Sequence, residues 1–279
     1  MLGPAKILVF DSGLGGLTVL AEIIALRPDA ACIYAADDAV FPYGRLPEAL
    51  LLARVNQVMA ALIPAHAPDV VVIACNTAST LVLPTLRARY PDVPFVGTVP
   101  AIKPAALASR SAMISVLATP GTVARDYTQA LVRDFASHCA VTLVGATRLA
   151  SLAERFMQGF AIAEGEVAAE IVPAFVERDG RRTDTIVLAC THYPLLQGIF
   201  QHVQPWPVIW IDPAPAIARR TDQVLRNGGN MPGGPGVALH GAVFSSGRKP
   251  SSALKNALRL RRLQALDWAF PASSPQGDA

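Results

Sequence analysis

Two cysteines with matching surroundings are the residues of this chain best suited, by type and spacing, to carry out chemistry. Cys75 follows the apolar run 70–74, Cys190 follows the apolar run 186–189, and short polar residues come after both. A free thiol has a pKa of about 8.5, and the amino terminus of a helix beside it favours the ionised, reactive form. The matched flanks therefore predict two reactive thiols that face each other, each helped by the start of a helix.

Both runs are apolar without alternation, which is typical of parallel strands buried on both faces. Ligands of open α/β sheets bind at the carboxyl ends of such strands. The pattern therefore predicts both thiols at strand ends, with Thr77 or Ser79 capping the helix that follows Cys75.

A third predicted strand end carries a carboxylate. The apolar run 6–10 predicts the first strand, Asp11 and Ser12 follow it, and a glycine-rich turn at 13–16 leads into a helix. The turn has the pattern G-x-G-G rather than the G-x-G-x-x-G of dinucleotide sites, and Asp11 would repel a phosphate. We therefore favour a turn at which glycines let the backbone approach a small ligand.

The order of elements is repeated along the chain. Asp11 and Cys75 are 64 positions apart, Thr119 and Cys190 are 71 positions apart, and each interval holds the same succession of strands and helices. This repetition indicates an internal duplication of two α/β halves.

Composition limits the function classes. Of 279 residues, 52% are hydrophobic and 16% charged, which suits one large or two smaller domains. A net charge of +3 is too small to predict a nucleic-acid surface, and no apolar run approaches the ~18 residues of a membrane span. The first residues lead into a strand without a signal-peptide pattern, so the cytoplasm is the expected compartment. Cys32 and Cys139 are interpreted as buried small hydrophobes, and residues 252–268 as a basic amphipathic helix.

Five segments together resemble a known family. They are Asp11-Ser12-Gly13-Leu14-Gly15-Gly16, Pro42-Tyr43-Gly44, Ala74-Cys75-Asn76-Thr77-Ala78-Ser79, Val99-Pro100-Ala101-Ile102-Lys103-Pro104 and Ala189-Cys190-Thr191-His192-Tyr193-Pro194. In this order and spacing they resemble the motifs of the glutamate racemases, within the cofactor-independent aspartate/glutamate racemase superfamily. Residues 36–40 and Asp212-Pro213 depart from the family pattern, which bears on loop detail and regulation more than on the chemistry.

The resemblance implies two pseudo-symmetric parallel-sheet α/β domains with the active site in the cleft between them. The first domain is expected to comprise residues 1–98 plus 208–279 and to carry Cys75, and the second to comprise residues 99–207 and to carry Cys190. The implied activity interconverts L- and D-glutamate and supplies D-glutamate for peptidoglycan, without a metal or a pyridoxal cofactor. Glutamate is the expected partner, with neither nucleic acid nor membrane, and the choice between monomer and homodimer stays open.

Racemisation must remove a proton from one face of Cα and deliver one to the other face, which suits two bases on opposite faces. By resemblance, Cys75 takes the proton from D-glutamate and Cys190 takes it from L-glutamate. Asp11 and His192 are implied to exchange protons with these thiols, and Glu154 is implied as a further catalytic carboxylate.

Backbone N–H groups and hydroxyls at helix starts can bind the carboxylates of the substrate. The residues expected to bind it are Asp11, Ser12, Tyr43, Gly44, Asn76, Thr77, Thr191 and His192. Three alternatives stay open. The chain could be an aspartate or other amino-acid racemase of the same superfamily, or a non-catalytic protein that binds an acidic metabolite. The third is a metal site formed by Asp11, the two thiols and His192, although its ligands lack the short paired spacing of structural zinc sites.

Overall fold

The structure, a computed structural model, describes residues 4–233 and 240–265. Its strands are β1 Lys6–Asp11, β2 Ala31–Ala36, β3 Val70–Ile73, β4 Phe95–Gly97, β5 Met113–Ala118, β6 Ala140–Gly145, β7 Glu177–Arg178, β8 Arg181–Arg182, β9 Thr185–Ala189, β10 Ile209–Ile211, β11 His240–Phe244 and β12 Leu263–Ala265. Its α-helices are α1 Leu17–Leu26, α2 Glu48–His66, α3 Asn76–Arg89, α4 Ile102–Ala108, α5 Pro120–Val123, α6 Asp126–Phe135, α7 Leu149–Met157, α8 Glu164–Ile171, α9 Gln197–Val203, α10 Ala214–Asn227 and α11 Ser252–Leu260.

Two parallel sheets organise these elements. The first has the order β12-β11-β2-β1-β3-β4 and the second the order β10-β9-β5-β6, while β7 and β8 form a separate antiparallel pair. Every residue of β3 and β9 is buried, as expected for apolar strands covered on both faces. The predicted α/β class with two parallel sheets is confirmed.

The two sheets repeat one arrangement, β2-β1-β3-β4 in the first and β6-β5-β9-β10 in the second. Phe10 of β1 lies opposite Ile73 of β3, and Leu117 of β5 lies opposite Leu188 of β9. Cys75 lies two residues after Ile73, and Cys190 lies two residues after Leu188, so the two cysteines occupy equivalent positions in the two sheets. Likewise, Ser12 lies two residues after Phe10 and Thr119 two residues after Leu117, so these two are also equivalent.

The carboxyl-terminal part of the chain is divided between the two sheets. β10 pairs with β9 in the second sheet, whereas β11 and β12 belong to the first. The division into residues 1–98 plus 208–279 and residues 99–207 stays a prediction, and the pairing of β10 favours a boundary after Ile211. The helix predicted over residues 252–268 is wrong in extent. α11 ends at Leu260, the backbone of Arg262 is left-handed (φ 59°), and β12 follows, while residues 266–268 lie outside the described part.

Helix α2 is long and apolar enough, by length and composition alone, to cross a membrane, and a core helix of a soluble fold passes the same test. Here Leu51, Val55 and Leu62 of α2 are buried in a cluster with residues of β1 and β3. That packing makes α2 a helix of the core. Of the two cysteines interpreted as buried hydrophobes, Cys32 is buried and Cys139 is half-buried.

Candidate active site

The carboxylate of Asp11 lies fully buried where β1 ends. It accepts hydrogen bonds from the backbone N–H groups of Ser12 (2.7 Å) and Gly16 (2.6 Å), because the glycine turn folds back over the strand end. The hydroxyl of Thr191, from the other half of the chain, also donates to it at 3.1 Å. Burial raises the pKa of Asp11, against the lowering effect of the charge on His192 and of the two backbone N–H groups. A raised pKa makes this carboxylate a stronger base.

Cys75 lies next to this carboxylate, 5% exposed, directly before the first residue of α3. Its Sγ atom is 3.9 Å from the hydroxyl of Ser12. Burial raises the pKa of the Cys75 thiol well above its ordinary value, and the charges of Asp11 and Cys190 raise it further, whereas hydrogen bonds from the Ala78 N–H and from Ser12 lower it. The start of a helix beside Cys75 is thus confirmed.

The predicted caps of α3 are wrong, because the two hydroxyls are engaged elsewhere. The Ser79 hydroxyl donates to the Ile73 carbonyl (2.8 Å) and accepts from the N–H of Thr98 (2.9 Å). The Thr77 hydroxyl belongs to a cluster of threonines, Thr77, Thr119 and Thr122, described below. The residue at the cap position is Cys75 itself, and no side chain caps the helix.

Cys190 has different support. It is 6% exposed, and its Sγ atom is 3.8 Å from Nδ1 of His192. The other ring nitrogen, Nε2, is 2.8 Å from Oε1 of Glu154. The segment after Cys190 forms a 3₁₀ turn over Tyr193–Leu196 before α9, so the α-helix expected directly after this thiol is absent from the described structure. The positive group beside the Cys190 sulfur is therefore the His192 side chain and not the amino terminus of an α-helix.

The protonation of His192 follows from these contacts. Burial alone would lower its pKa, but the hydrogen bonds to Cys190 and Glu154 and the charges of both outweigh burial and raise its pKa well above the ordinary value. As an imidazolium, His192 donates through both nitrogens, to the sulfur on one side and to the carboxylate on the other. Its positive charge therefore lies directly beside the sulfur of Cys190.

The turn at the end of β1 holds the two halves together at the site. The carboxylate of Glu154 on α7 accepts both from the N–H of Leu14 at 2.5 Å and from Nε2 of His192 at 2.8 Å. A Cβ atom added to Gly15 would lie 2.4 Å from Nδ1 of His192 and 2.7 Å from its backbone nitrogen. Only a glycine permits this approach to His192, and the approach to a small ligand expected at this turn stays a prediction.

Asn76 and a group of hydroxyls line the same region. Within the described residues, neither Oδ1 nor Nδ2 of Asn76 has a hydrogen-bond partner, although the side chain is 2% exposed. A buried amide without partners is costly, so these atoms are available to a ligand. The hydroxyls of Thr77, Thr119 and Thr122 lie 3.0–3.3 Å from one another.

Tyr43 and Gly44 bring a loop of the first half against these hydroxyls. A Cβ atom on Gly44 would lie 3.0 Å from Cβ of Thr119. Thr119 and Thr122 were not among the residues expected from the sequence. The duplication could have identified Thr119, since Thr119 is the counterpart of Ser12.

The arrangement gathers nearly all the predicted side chains into linked contacts. Asp11 and Ser12 surround Cys75, His192 and Glu154 support Cys190, and Thr191 joins the two groups. Across residues 4–233 and 240–265, no group of three or more His, Cys, Asp or Glu side chains is placed to hold a metal ion. Chemically, the site offers two thiols with separate acid–base partners.

The chain belongs to the Asp/Glu/Hydantoin racemase family, whose profile matches residues 24–221. The glutamate racemase of Brucella anthropi is 58% identical over 220 residues, covering 79% of each chain. The glutamate racemase of Sinorhizobium fredii is 52% identical over 255 residues, covering 91% of this chain and 94% of its own. The resemblance to glutamate racemases is therefore confirmed, and with it the enzyme class, an amino-acid racemase.

A solved structure agrees with the fold. Escherichia coli glutamate racemase, in complex with L-glutamate and the activator UDP-MurNAc-Ala, superposes with a TM-score of 0.85 at 36% identity. The match covers 94% of this chain and 97% of that one. The similarity extends over both sheets.

Proposed function

We propose that this protein interconverts L- and D-glutamate by moving the Cα proton between two cysteines, Cys75 and Cys190. The observation that carries the proposal is the equivalence of the two thiols, which follow corresponding strands of two matching parallel sheets. Each thiol also has its own buried acid–base partner, Asp11 or His192. The glutamate racemases to which the chain is similar support glutamate as substrate.

One turnover needs one thiolate and one thiol. In the L-to-D direction the Cys190 thiolate, stabilised by the His192 imidazolium, takes the proton from Cα, and the Cys75 thiol delivers a proton to the opposite face. In the D-to-L direction Cys75 must first lose its proton, and Asp11 is the neighbouring base that receives it. Glu154 keeps His192 charged and oriented.

Negative charge builds on the substrate's α-carboxylate as the proton leaves. Donors fixed in advance around that charge lower the barrier. The unpaired amide of Asn76 and the hydroxyls of Thr77 and Thr119 are suited to this role, and Ser12 and Thr191 are proposed to bind beside them. Asp11 would face the ammonium group, and the backbone of Tyr43 and Gly44 would bind the distal carboxylate.

Incubation of D-glutamate with the enzyme in D₂O tests this function. The expected product is L-glutamate with deuterium at Cα, detected by proton NMR and chiral chromatography. An absence of exchange would favour the non-catalytic binding protein. Loss of activity on chelation, restored by zinc, would favour the metal site. Faster turnover of aspartate than of glutamate in parallel assays would identify an aspartate racemase instead.

We also propose that the reaction takes place in the cytoplasm and supplies D-glutamate for peptidoglycan. Both catalytic thiols must stay reduced, which a cytosolic glutathione pool favours. The four cysteines are free in the structure. A homodimer stays a prediction, which sedimentation equilibrium at micromolar concentration would test.

A further inference from the structure

A buried ion pair lies behind Tyr43, outside the proton-transfer machinery. Asp37 is fully buried in the loop after β2, and Arg54 of α2 donates to both of its oxygens, Nε to Oδ2 at 2.8 Å and Nη2 to Oδ1 at 2.6 Å. The hydroxyl of Tyr43 also donates to Oδ2, at 2.5 Å. Burial would raise the pKa of Asp37, but the hydrogen bonds from Arg54, Ser245 and Tyr43 outweigh burial and lower it. The carboxylate is therefore ionised, and both of its oxygens accept hydrogen bonds.

A buried ion pair is weak evidence for stability, since the loss of hydration offsets most of the attraction. The location of this pair in the fold is more informative than its contribution to stability. Asp37, Arg54 and Tyr43 come from a loop, a helix and a second loop segment, and their hydrogen bonds join these three parts of the first half. The side chain of Tyr43 is 1% exposed and tilted against the ring of Phe10, with the centroids 6.3 Å apart. The position of Tyr43 is therefore fixed at two points, by the hydrogen bond of its hydroxyl to Asp37 and by the packing of its ring against Phe10.

The backbone of the same residue reaches the other half of the molecule. Tyr43 begins a 3₁₀ turn, and Gly44 in that turn packs against Thr119. The carbonyl oxygen of Gly44 would lie 3.1 Å from a Cβ atom on Gly121, so the turn and the start of α5 are in close contact. Within the described residues, neither the N–H of Tyr43 nor that of Gly44 donates a hydrogen bond. Two free donors thus stand next to the threonine hydroxyls.

We propose that Asp37 and Arg54 are positioning residues that set the length of the substrate. By fixing the Tyr43 hydroxyl, they hold the two free N–H groups beside the threonine hydroxyls, where these groups would receive the distal carboxylate of a five-carbon diacid. A four-carbon diacid would leave these donors unpaired, which a buried site penalises. This inference rests on the proposed racemase activity.

The test compares variants of the ion pair and of Tyr43 with a control variant, by steady-state kinetics on L-glutamate, D-glutamate and aspartate. Tyr43→Phe removes only the hydroxyl, and Asp37→Asn removes only the charge. Asp29→Asn is the matched control, because Asp29 forms the same two-pronged pair with the buried Arg27, at 2.9 and 2.8 Å, before the start of β2, whereas Asp37 follows its end. Thermal unfolding of each variant measures the stability change separately.

Tyr43→Phe and Asp37→Asn should raise KM for both glutamate enantiomers about tenfold, the loss expected for a hydrogen bond to a charged group, with kcat changed less than about threefold. The preference for glutamate over aspartate in kcat/KM should fall by a similar factor. Arg54→Lys should recover part of this preference relative to Arg54→Ala, since it restores the charge without the paired geometry. The control should keep the wild-type KM and preference.

Three results would overturn the proposal: an unchanged KM, a fall in kcat alone, or an equal shift in the Asp29→Asn control. If Asp37→Asn fails to fold, Tyr43→Phe decides, because it removes a single oxygen atom. The wild-type measurement keeps the two proposals apart. An inactive wild type contradicts the racemase function, whereas an active wild type with unaltered variants contradicts only the positioning role.

Discussion

Replacement of His192 by asparagine probes the asymmetry between the two thiols. In the structure, Nδ1 of His192 is 3.8 Å from Sγ of Cys190, and both side chains are buried, which limits the screening of the charge by solvent. Asparagine keeps a polar side chain but removes the positive charge. Cys75, whose partners are Asp11 and Ser12, keeps its contacts. The substitution should therefore impair proton abstraction by Cys190 more than by Cys75, which His192 affects only through the action of its charge on Asp11.

The size of the effect follows from the contact. Two unit charges 3.8 Å apart attract by about 4 kcal/mol at an effective dielectric constant of 20. After the cost of desolvation, a hydrogen bond to a charged group contributes a net of about 1.5–3 kcal/mol. At about 1.4 kcal/mol per factor of ten, proton abstraction by Cys190 should slow about 10- to 150-fold, because its anionic sulfur costs that much more free energy to form without the neighbouring positive charge. The Cys75 step should change less than about threefold.

Steady-state racemisation reports this asymmetry only in part. The equilibrium constant between enantiomers is unity, so kcat/KM must be the same for L- and D-glutamate. If kcat falls more from L to D than from D to L, KM for L-glutamate must therefore be lower than KM for D-glutamate by the same factor. Elimination of HX from glutamate analogues with a leaving group at C3 needs only one base and has no such constraint. For His192→Asn, elimination from the L analogue should fall 10- to 150-fold and elimination from the D analogue should persist. His202→Asn, an exposed histidine, is the control. Equal losses for both analogues would refute the reasoning.

Gly15→Ala should lower kcat/KM about a hundredfold, because the new methyl would displace the His192 backbone, and turnover like the wild type would contradict this packing. Thr119→Val should raise KM about tenfold by removing a donor to the substrate, and an unchanged KM would exclude this contact. Asp29→Asn should lower the free energy of unfolding by about 2 kcal/mol at neutral pH, because a hydrogen bond from Arg27 lowers the pKa of Asp29 to about 2. This stabilisation is present above about pH 4 and is lost as the pH falls towards 2. A difference in unfolding free energy between wild type and Asp29→Asn that stays constant over this pH range, measured by urea titration, would contradict it.

The strand ends could be predicted from the sequence because their signal is local. Runs of buried apolar residues identify parallel strands, and parallel strands place whatever follows them at one edge of the sheet. Asp11, Cys75 and Cys190 were found in this way. His192 was indicated by its position two residues after Cys190, and the family resemblance implied the same role. Glu154 came from the resemblance alone, since it lies on a separate helix whose sequence shows nothing of its contact with His192.

The remaining features depend on contacts between distant segments. Thr119 does cap the short helix α5, accepting from the N–H of Thr122, so its sequence context looks complete without a ligand. The pairing of Asp37 with Arg54 joins a loop to a helix and leaves no periodic pattern. The overextended carboxyl-terminal helix reflects a basic pattern that continues past Leu260, while the left-handed turn at Arg262 redirects the chain into β12.

The central claim, two thiols on opposite faces of one substrate, is tested most directly with Cys75→Ser and Cys190→Ser. Both variants should lose racemisation almost completely, because each thiol is needed as acid or base in every turnover. Elimination of HX from a C3-substituted glutamate analogue needs only the remaining thiol. The account predicts that Cys190→Ser acts on the D analogue and Cys75→Ser on the L analogue. The same enantiomer preference in both variants would contradict it.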